Sequence, residues 1–150
     1  MKAVIQRVSS ASVSIEGAVQ GEIKQGYVVF LGITHDDTDD DVEWLANKIF
    51  NLRIFSDEEG LMNLSLSDVK GDVLLISQFT LHAKTKKGNR PSYIYAAKPE
   101  VAVPLYEQFI KTLKGLLQKP VHTGEFGANM QVELVNDGPV TIIIDTKNKV

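Results

Sequence analysis

The sequence Tyr27-Val28-Val29-Phe30-Leu31-Gly32-Ile33 is apolar throughout and follows a Gln25-Gly26 turn. An uncharged run of this length indicates a strand that is covered on both faces, which places it at the centre of a sheet. Val73-Leu74-Leu75-Ile76 is a second run of the same kind. The sequence therefore predicts a sheet whose central strands are buried.

Shorter segments with strand character lie before and after these two runs. Near the start of the chain, polar and apolar residues alternate on both sides of a Glu16-Gly17 turn, as in half-buried strands. Near its end, Asn136-Asp137-Gly138-Pro139 separates two apolar segments and predicts a hairpin turn. The predicted outer strands are residues 3–8, 12–15, 19–23, 131–135 and 140–144.

Two segments have helical periodicity. In the first, Thr38 is a suitable N-cap and aspartates fill the first turn. In the second, Pro99 fits the first helical position, and Pro104 either marks the start or bends the first turns. The apolar stripes are Val42, Leu45, Ile49 and Leu52, and then Leu105, Phe109, Leu113 and Leu117. Together with the strands, these helices predict a layered α/β fold in a single domain, residues 1–150.

Composition and charge exclude several classes of protein. The 150 residues carry a formal net charge of −3 and include no cysteine, which excludes disulfide frameworks, thiolate metal sites and cysteine nucleophiles. No apolar run approaches the roughly 20 residues that span a bilayer, and Gln6 and Arg7 interrupt the N-terminal apolar run as no signal peptide would. The sequence therefore predicts a cytoplasmic protein that does not contact a membrane.

The sequence gives no sign of a metal site. The acidic segment 36–41 lacks the glycine and the closing glutamate of a calcium loop, because Val42 and Lys48 stand at those positions. The three histidines are far apart in the sequence, at His35, His82 and His122. We therefore expect neither a metal nor a cofactor.

Candidate catalytic groups follow the buried strand at residues 73–76. Ser77 and Thr80 stand where nucleophiles often lie, and Thr80 and His82 would share one face if the strand continued, which permits a hydroxyl–imidazole pair. No nearby carboxylate would orient the imidazole, so hydroxyls bonded to the backbone are the favoured interpretation. Backbone N–H groups at the end of a strand can also bind an anion or a developing oxyanion.

A basic loop, residues 84–90, comes soon after residues 77–80. Its positive charge contrasts with the net negative charge of the chain. Such a loop is usually only solvated, but its position next to residues 77–80 makes it a candidate site for the phosphates of a nucleotide or RNA. Its cationic side chains are Lys84, Lys86, Lys87 and Arg90.

Several motifs, in order along the whole chain, resemble those of the D-aminoacyl-tRNA deacylases, once named D-tyrosyl-tRNA deacylases. The strongest are Ser77-Gln78-Phe79-Thr80-Leu81, Lys87-Gly88-Asn89-Arg90-Pro91-Ser92, Thr123-Gly124-x-Phe126-Gly127-Ala128-x-Met130 and Val135-Asn136-Asp137-Gly138-Pro139-Val140-Thr141. Weaker ones are Ala3-Val4-Ile5-Gln6-Arg7-Val8, Asn51-Leu52-Arg53-Ile54-Phe55 and Met62-Asn63-Leu64-Ser65. His82 and Tyr93-Ile94-Tyr95 depart from the pattern.

The resemblance implies a homodimer of β/β/α layers with active sites at the subunit interface. It implies that the Gly138–Pro139 bond is cis and reaches into the partner's site, where backbone carbonyls exclude an L side chain and admit a D-residue or glycine. Arg7 would brace this turn. The remaining implied site residues are Ser77, Gln78, Phe79 and Thr80 for catalysis, and Ala102, Phe126 and Met130 for lining the pocket.

The implied substrate is the aminoacyl ester of a tRNA, including glycine mischarged on alanine tRNA. Such an ester is activated, so N–H groups near Phe79 and Thr80 would stabilise its oxyanion, and the ribose 2′-hydroxyl would assist the attacking water. Thr80 would then hydrogen-bond the substrate. Two other hypotheses stay open at this point: a non-catalytic nucleic-acid-binding dimer, and a small-molecule esterase that uses Thr80 and His82.

Overall fold

The computed structural model describes all residues, Met1–Val150. The chain forms eight strands, two α-helices and one 3₁₀ helix. The strands are β1 (Lys2–Ile15), β2 (Ala18–Ile23), β3 (Gly26–Gly32), β4 (Phe55–Ser56), β5 (Met62–Leu64), β6 (Asp72–Ser77), β7 (His122–Thr123) and β8 (Gln131–Asp145). The helices are α1 (Asp39–Asn51), the 3₁₀ helix (Phe79–His82) and α2 (Pro99–Leu117).

The main sheet is mixed, and the two apolar runs lie at its centre as predicted. Its strand order is β2-β1-β3-β6-β7, with β8 paired to β1, and β4 and β5 form a separate two-stranded sheet. β3 pairs antiparallel with β1 and parallel with β6. Because both neighbours of β3 are strands and both of its faces carry apolar residues, β3 is almost wholly buried. The predicted α/β class is confirmed.

Both predicted helices are present. Thr38 and Asp41 form a capping box at the start of α1, and Pro99 stands in the first turn of α2, with Pro104 inside the helix. The centres of both predicted stripes are buried, at Val42, Leu45 and Ile49 in α1 and at Phe109 and Leu113 in α2. Their ends differ, because Leu52 lies just beyond α1 and α2 buries Ala102 and Tyr106 more fully than Leu105. The helices and the sheet enclose the larger of two apolar clusters.

The predicted C-terminal hairpin is wrong. Residues 131–145 form one strand, β8, which pairs with β1 along both halves. Val8 pairs with Asn136 and Gln6 with Thr141, so residues 137–140 bulge out opposite Arg7. The chain does not need to reverse because β1, at 14 residues, is long enough to pair with both apolar segments in turn. We call residues 137–140 the β8 bulge.

The two apolar clusters lie on opposite faces of the sheet, because successive residues of β3 and of β6 belong alternately to one cluster and to the other. The larger contains Ala3 and Ile5 with the helices, and the smaller contains Val8, Ala11 and Val13. Neither helix is both long and apolar enough to cross a bilayer.

Candidate active site

The site begins where β6 leaves the sheet. The Gln78 N–H donates to the Leu31 carbonyl at 2.8 Å, and the chain then turns into the 3₁₀ helix Phe79–His82. Gly32 permits this turn, since a Cβ there would lie 2.9 Å from the Gln78 carbonyl oxygen and 3.0 Å from Leu81 Cβ. The N–H groups of Phe79 and Thr80 open the 3₁₀ helix, where i→i+3 bonding leaves them without a partner inside the helix.

The predicted face shared by Thr80 and His82 does not exist, because the strand ends at Ser77. The Thr80 hydroxyl accepts a hydrogen bond from Gln78 Nε2 at 2.5 Å, and His82 is buried with its Nε2 atom unpartnered. Burial holds the pKa of His82 below its usual value, because a charged imidazole loses hydration there. The structure thus gives no support to a hydroxyl–imidazole pair.

A pocket of about 260 Å³ opens beside this turn. It brings together six of the residues expected in the site: Ser77, Gln78, Phe79, Ala102, Phe126 and Met130. Its other lining residues are Leu31, Ile33, Ile76, Ala97, Gly127, Ala128, Asn129 and Val132. Thr80 is not among them. The lining residues at the ends of the two apolar runs could have been predicted from those runs, and residues 127–129 from the motif at 123–130. Nothing in the sequence indicated Ala97.

The wall of the pocket is apolar and well supported. Phe126 packs against Tyr106 with ring centroids 5.5 Å apart, and the Tyr106 hydroxyl donates to the Leu75 carbonyl at 3.3 Å. Burial raises the pKa of Tyr106 to about 12, so this tyrosine stays neutral. The pocket therefore suits an apolar or aromatic group of modest size, with the polar main chain of residues 77–79 along one side.

Arg7 holds the β8 bulge from within the sheet. Its Nε atom donates to the Asp137 carbonyl at 3.0 Å and lies 3.5 Å from the Asp137 carboxylate, while Nη1 donates to the Ile54 carbonyl at 2.6 Å. Asn136 Nδ2 closes the base of the bulge by donating to the carbonyls of Arg7 and Val140, both at 3.0 Å. The bulge is therefore anchored by partly buried hydrogen bonds although its outer residues are exposed.

Gly138 and Pro139 are exposed at the tip of this bulge, next to the exposed Asp137, and the bond between them is cis. Gly138 has φ +132°, and a Cβ there would lie 2.8 Å from Val140 Cγ2 and 3.2 Å from Arg7 Nη2. Neither residue lines the pocket of its own chain. Asn136 lies four positions along β8 from Val132 in the pocket wall, a distance of about 13 Å at the usual rise of a strand.

The basic loop begins and ends at residues that are hydrogen-bonded to each other. Lys84 and Ser92 exchange backbone hydrogen bonds of 2.8 and 3.0 Å at its base. Lys84, Lys86, Lys87 and Ser92 line a concave surface of about 500 Å³. None of the four cations of the loop, including Arg90, lies within 4 Å of a carboxylate in the chain. No group of three His, Asp or Glu side chains gathers as a metal site would require.

Comparisons with known proteins identify relatives of the whole chain. The model of the D-Tyr-tRNA(Tyr) deacylase family matches residues 4–145. A Bacteroides fragilis protein named D-aminoacyl-tRNA deacylase is 62% identical over 149 residues, 99% of each chain. The solved structure of a c-Myc DNA unwinding element binding protein is 41% identical, with TM-score 0.92 over 97% of this chain and 99% of that one.

A more distant structure shares the fold alone. It is a probable eukaryotic D-amino acid tRNA deacylase, 17% identical with TM-score 0.82, and the match covers 95% of this chain and 97% of that one. The full-length family match and the high identity to the bacterial relative show the relationship directly. The chain belongs to the D-Tyr-tRNA(Tyr) deacylase family of hydrolases.

Proposed function

We propose that this protein hydrolyses the ester bond of D-aminoacyl-tRNA and releases the D-amino acid and free tRNA. The observation that carries the proposal is the pocket at the end of β6, where the main chain of residues 77–79 faces an apolar wall that contains Phe126 and Met130. This places polar backbone beside space for an amino-acid side chain, as cleavage of an aminoacyl ester requires.

The chemistry needs no strong protein nucleophile. Water attacks the ester carbonyl, the bond from that carbon to the ribose oxygen breaks, and the ribose oxygen takes up a proton. The N–H groups of Phe79 and Thr80 would stabilise the oxyanion, and one such donor is typically worth about 10²–10³ in rate. The neighbouring 2′-hydroxyl of the ribose would assist the water, and the Thr80 hydroxyl would position the substrate.

Selection by handedness would come from the β8 bulge. The main chain at Gly138 and Pro139 would stand on the side of the substrate Cα where an L side chain must go, so an L-residue would collide with it. A D-residue or glycine leaves that side free, which extends the proposed substrates to glycine mischarged on alanine tRNA. Because the bulge would contact no D side chain, we expect many D-residues to be accepted.

This selection requires two copies of the chain. In one protomer the bulge and the pocket are apart, so the bulge of a second copy would complete the pocket of the first. β8 pairs with β1 alone, which leaves its outer edge free, and Ile143 on β8 is 71% exposed. A long free edge with exposed apolar side chains is a natural surface for a second chain. We therefore propose a homodimer with its active sites at the interface.

The direct test incubates the protein with D-tyrosyl-tRNA and L-tyrosyl-tRNA and follows the loss of ester. We expect rapid hydrolysis of the D-ester and at most background hydrolysis of the L-ester. Equal rates for the two substrates would contradict the proposed selection. The absence of hydrolysis for both would contradict the proposed reaction.

A second function is favoured by one observation. The related structure at 41% identity is a protein named for binding a DNA unwinding element. A non-catalytic nucleic-acid-binding dimer would need the basic loop but neither the pocket nor Arg7's hydrogen bonds to the bulge. Tight binding of single-stranded DNA by a protein that leaves both tyrosyl-tRNA esters intact would establish this function in place of the enzyme.

A further inference from the structure

We propose that Tyr93, Ile94 and Tyr95 form a stacking surface for the unpaired bases at the 3′ end of an RNA. The assignment rests on the proposed function and names how that substrate is held. These three consecutive side chains are 39%, 65% and 52% exposed, an unusual concentration of large apolar groups at the surface. We call them the tyrosine platform.

The backbone of the platform is pinned on both sides. Ser92 is bonded to Lys84 at the base of the basic loop, and the Ala96 N–H donates to the Tyr93 carbonyl at 3.0 Å. The Thr34 hydroxyl donates to the Tyr95 carbonyl at 2.6 Å, which ties the segment to the end of β3. The exposed rings therefore stand on a fixed backbone, so little conformational entropy is lost when a ligand binds them.

The platform continues directly from the pocket. The Tyr93 ring meets the ring of Phe79 edge to face, with centroids 5.0 Å apart, and Phe79 lines the pocket. Two residues beyond Tyr95, Ala97 lines the pocket as well, and its N–H donates to the Ile33 carbonyl at 2.9 Å. A ligand that leaves the pocket on this side therefore passes over the tyrosines.

The other side of the platform is cationic. Lys84 Nζ lies 4.9 Å from the centre of the Tyr95 ring, and Lys86 and Lys87 share the adjoining concave surface with Lys84. None of these ammonium groups has a carboxylate partner in the chain. Exposed rings beside unpaired cations are complementary to a nucleic acid strand, whose phosphates meet the lysines and whose bases stack on the rings.

The geometry also indicates which part of a nucleic acid would bind to the platform. Bases in a duplex hide their faces in the stack, so only unpaired nucleotides offer a face to the tyrosines. If the pocket holds an aminoacyl group, the nucleotides that precede the terminal ribose lie outside the pocket mouth. The platform is thus placed for an unpaired 3′ end, and the basic loop for the phosphates of the adjoining duplex.

The test measures binding of fluorescein-labelled RNA to the full-length protein by anisotropy. One RNA is a hairpin duplex with an unpaired 3′ extension of four nucleotides, and the other is the same duplex with a blunt end. We expect Tyr95→Ala to raise the Kd of the extended RNA about tenfold and leave the Kd of the blunt RNA unchanged. Tyr95→Phe keeps the ring and should bind as the wild type does.

Leu61→Ala, which removes a similarly exposed apolar side chain from the β4–β5 region, is the matched control and should alter neither Kd. An unchanged Kd for Tyr95→Ala, or an equal loss with extended and blunt RNA, would overturn the proposal. A DNA strand of the same sequence that binds equally well and depends equally on Tyr95 would overturn its assignment to RNA.

Turnover separates this proposal from the proposed function. With D-tyrosyl-tRNA, Tyr95→Ala should raise KM about tenfold and leave kcat unchanged, because stacking acts on the RNA away from the ester. If the wild type hydrolyses the ester and Tyr95→Ala keeps the wild-type KM and Kd, the proposed stacking surface is wrong and the proposed reaction stands. Ring-dependent binding of the extended RNA without any hydrolysis would support the platform and contradict the enzyme.

Discussion

Thr80 stands beside the pocket with its hydroxyl already engaged by Gln78 Nε2. An attacking hydroxyl needs a base, and no imidazole or carboxylate bonds this one. Loss of a single hydrogen bond costs about 0.5–1.5 kcal/mol, so we expect Thr80→Ala to keep D-tyrosyl-tRNA deacylation within about tenfold of wild type. Single-turnover rates measure this directly.

Thr80→Ser is the matched control, because it keeps the hydroxyl and removes only a methyl group. A loss of about 10³-fold or more in Thr80→Ala, with an active Ser variant and unchanged melting temperature, would make the hydroxyl a participant in the chemistry.

Gly138 is held in a conformation that L-residues rarely adopt. At φ +132° an added Cβ would meet Val140 and the Arg7 guanidinium, so we expect Gly138→Ala to lower the free energy of unfolding by about 1–3 kcal/mol. Displacement of the bulge should also reduce the ratio of D- to L-tyrosyl-tRNA hydrolysis. Urea denaturation and the two hydrolysis rates are the measurements.

Gly60 provides the control for this substitution. It also has positive φ, at +79°, but a Cβ there would meet nothing within 4 Å. Gly60→Ala should therefore carry the conformational cost without a collision and leave selectivity unchanged. Equal destabilisation by the two variants, with an unaltered D/L ratio, would remove Gly138 from the proposed selection.

The basic loop can be altered without disturbing the fold, since the Lys84–Ser92 hydrogen bonds close its base. If Lys86 and Lys87 each contact one phosphate, replacing both by alanine should weaken tRNA binding. The slope of a plot of log Kd against the logarithm of the salt concentration should also decrease by about 1.4–1.8. Titrations at several salt concentrations give this slope.

Removing two positive charges from another surface of the protein is the control for the loop variant. Lys111 and Lys114 are exposed on α2, so Lys111→Ala combined with Lys114→Ala should leave the slope nearly unchanged. An identical slope in wild type and the loop variant would show that the loop is merely solvated.

How far the sequence predicts the structure differs between elements. β3, β6 and the helices follow from local patterns, because an apolar run or a 3.6-residue period is visible within one segment. β8 does not, since a hairpin and a long bulged strand share the same local residues, and the choice between them depends on the distant partner β1. The pocket shows the same contrast, because Ser77 lies at the end of a visible strand whereas Ala97 enters through long-range contacts.

The proposed dimer depends on the exposed face of β8. We expect Ile143→Asp to shift the protein from dimer to monomer in sedimentation equilibrium, because a carboxylate would be buried at the interface. D-tyrosyl-tRNA hydrolysis should fall with it. Leu61→Asp changes another exposed side chain and should remain dimeric and active. A fully active monomer would contradict the shared site.

Mixing two variants tests directly whether each bulge serves the other chain's pocket. Gly138→Ala alters the bulge and leaves the pocket open, whereas Ala102→Phe keeps the bulge and fills the pocket of its own chain. In a mixed dimer the one open pocket would then face the intact bulge of the Ala102→Phe chain, so an excess of Ala102→Phe should restore the D/L ratio that Gly138→Ala loses. An unrestored ratio, with mixed dimers demonstrated by affinity tags, would place bulge and pocket in the same chain.

The β8 bulge also sets which face of the sheet each side chain of β8 occupies. Between the pairs Val8–Asn136 and Gln6–Thr141, β1 advances two residues and β8 five, so the bulge inserts three. An odd insertion inverts the alternation of a strand. Val132 and Leu134 accordingly pack on the smaller apolar cluster, and Ile142 and Ile144, in the same parity, pack on the larger. Shortening the segment by one residue would turn these isoleucines towards solvent, so the packing of the core constrains its length independently of the proposed role in substrate selection.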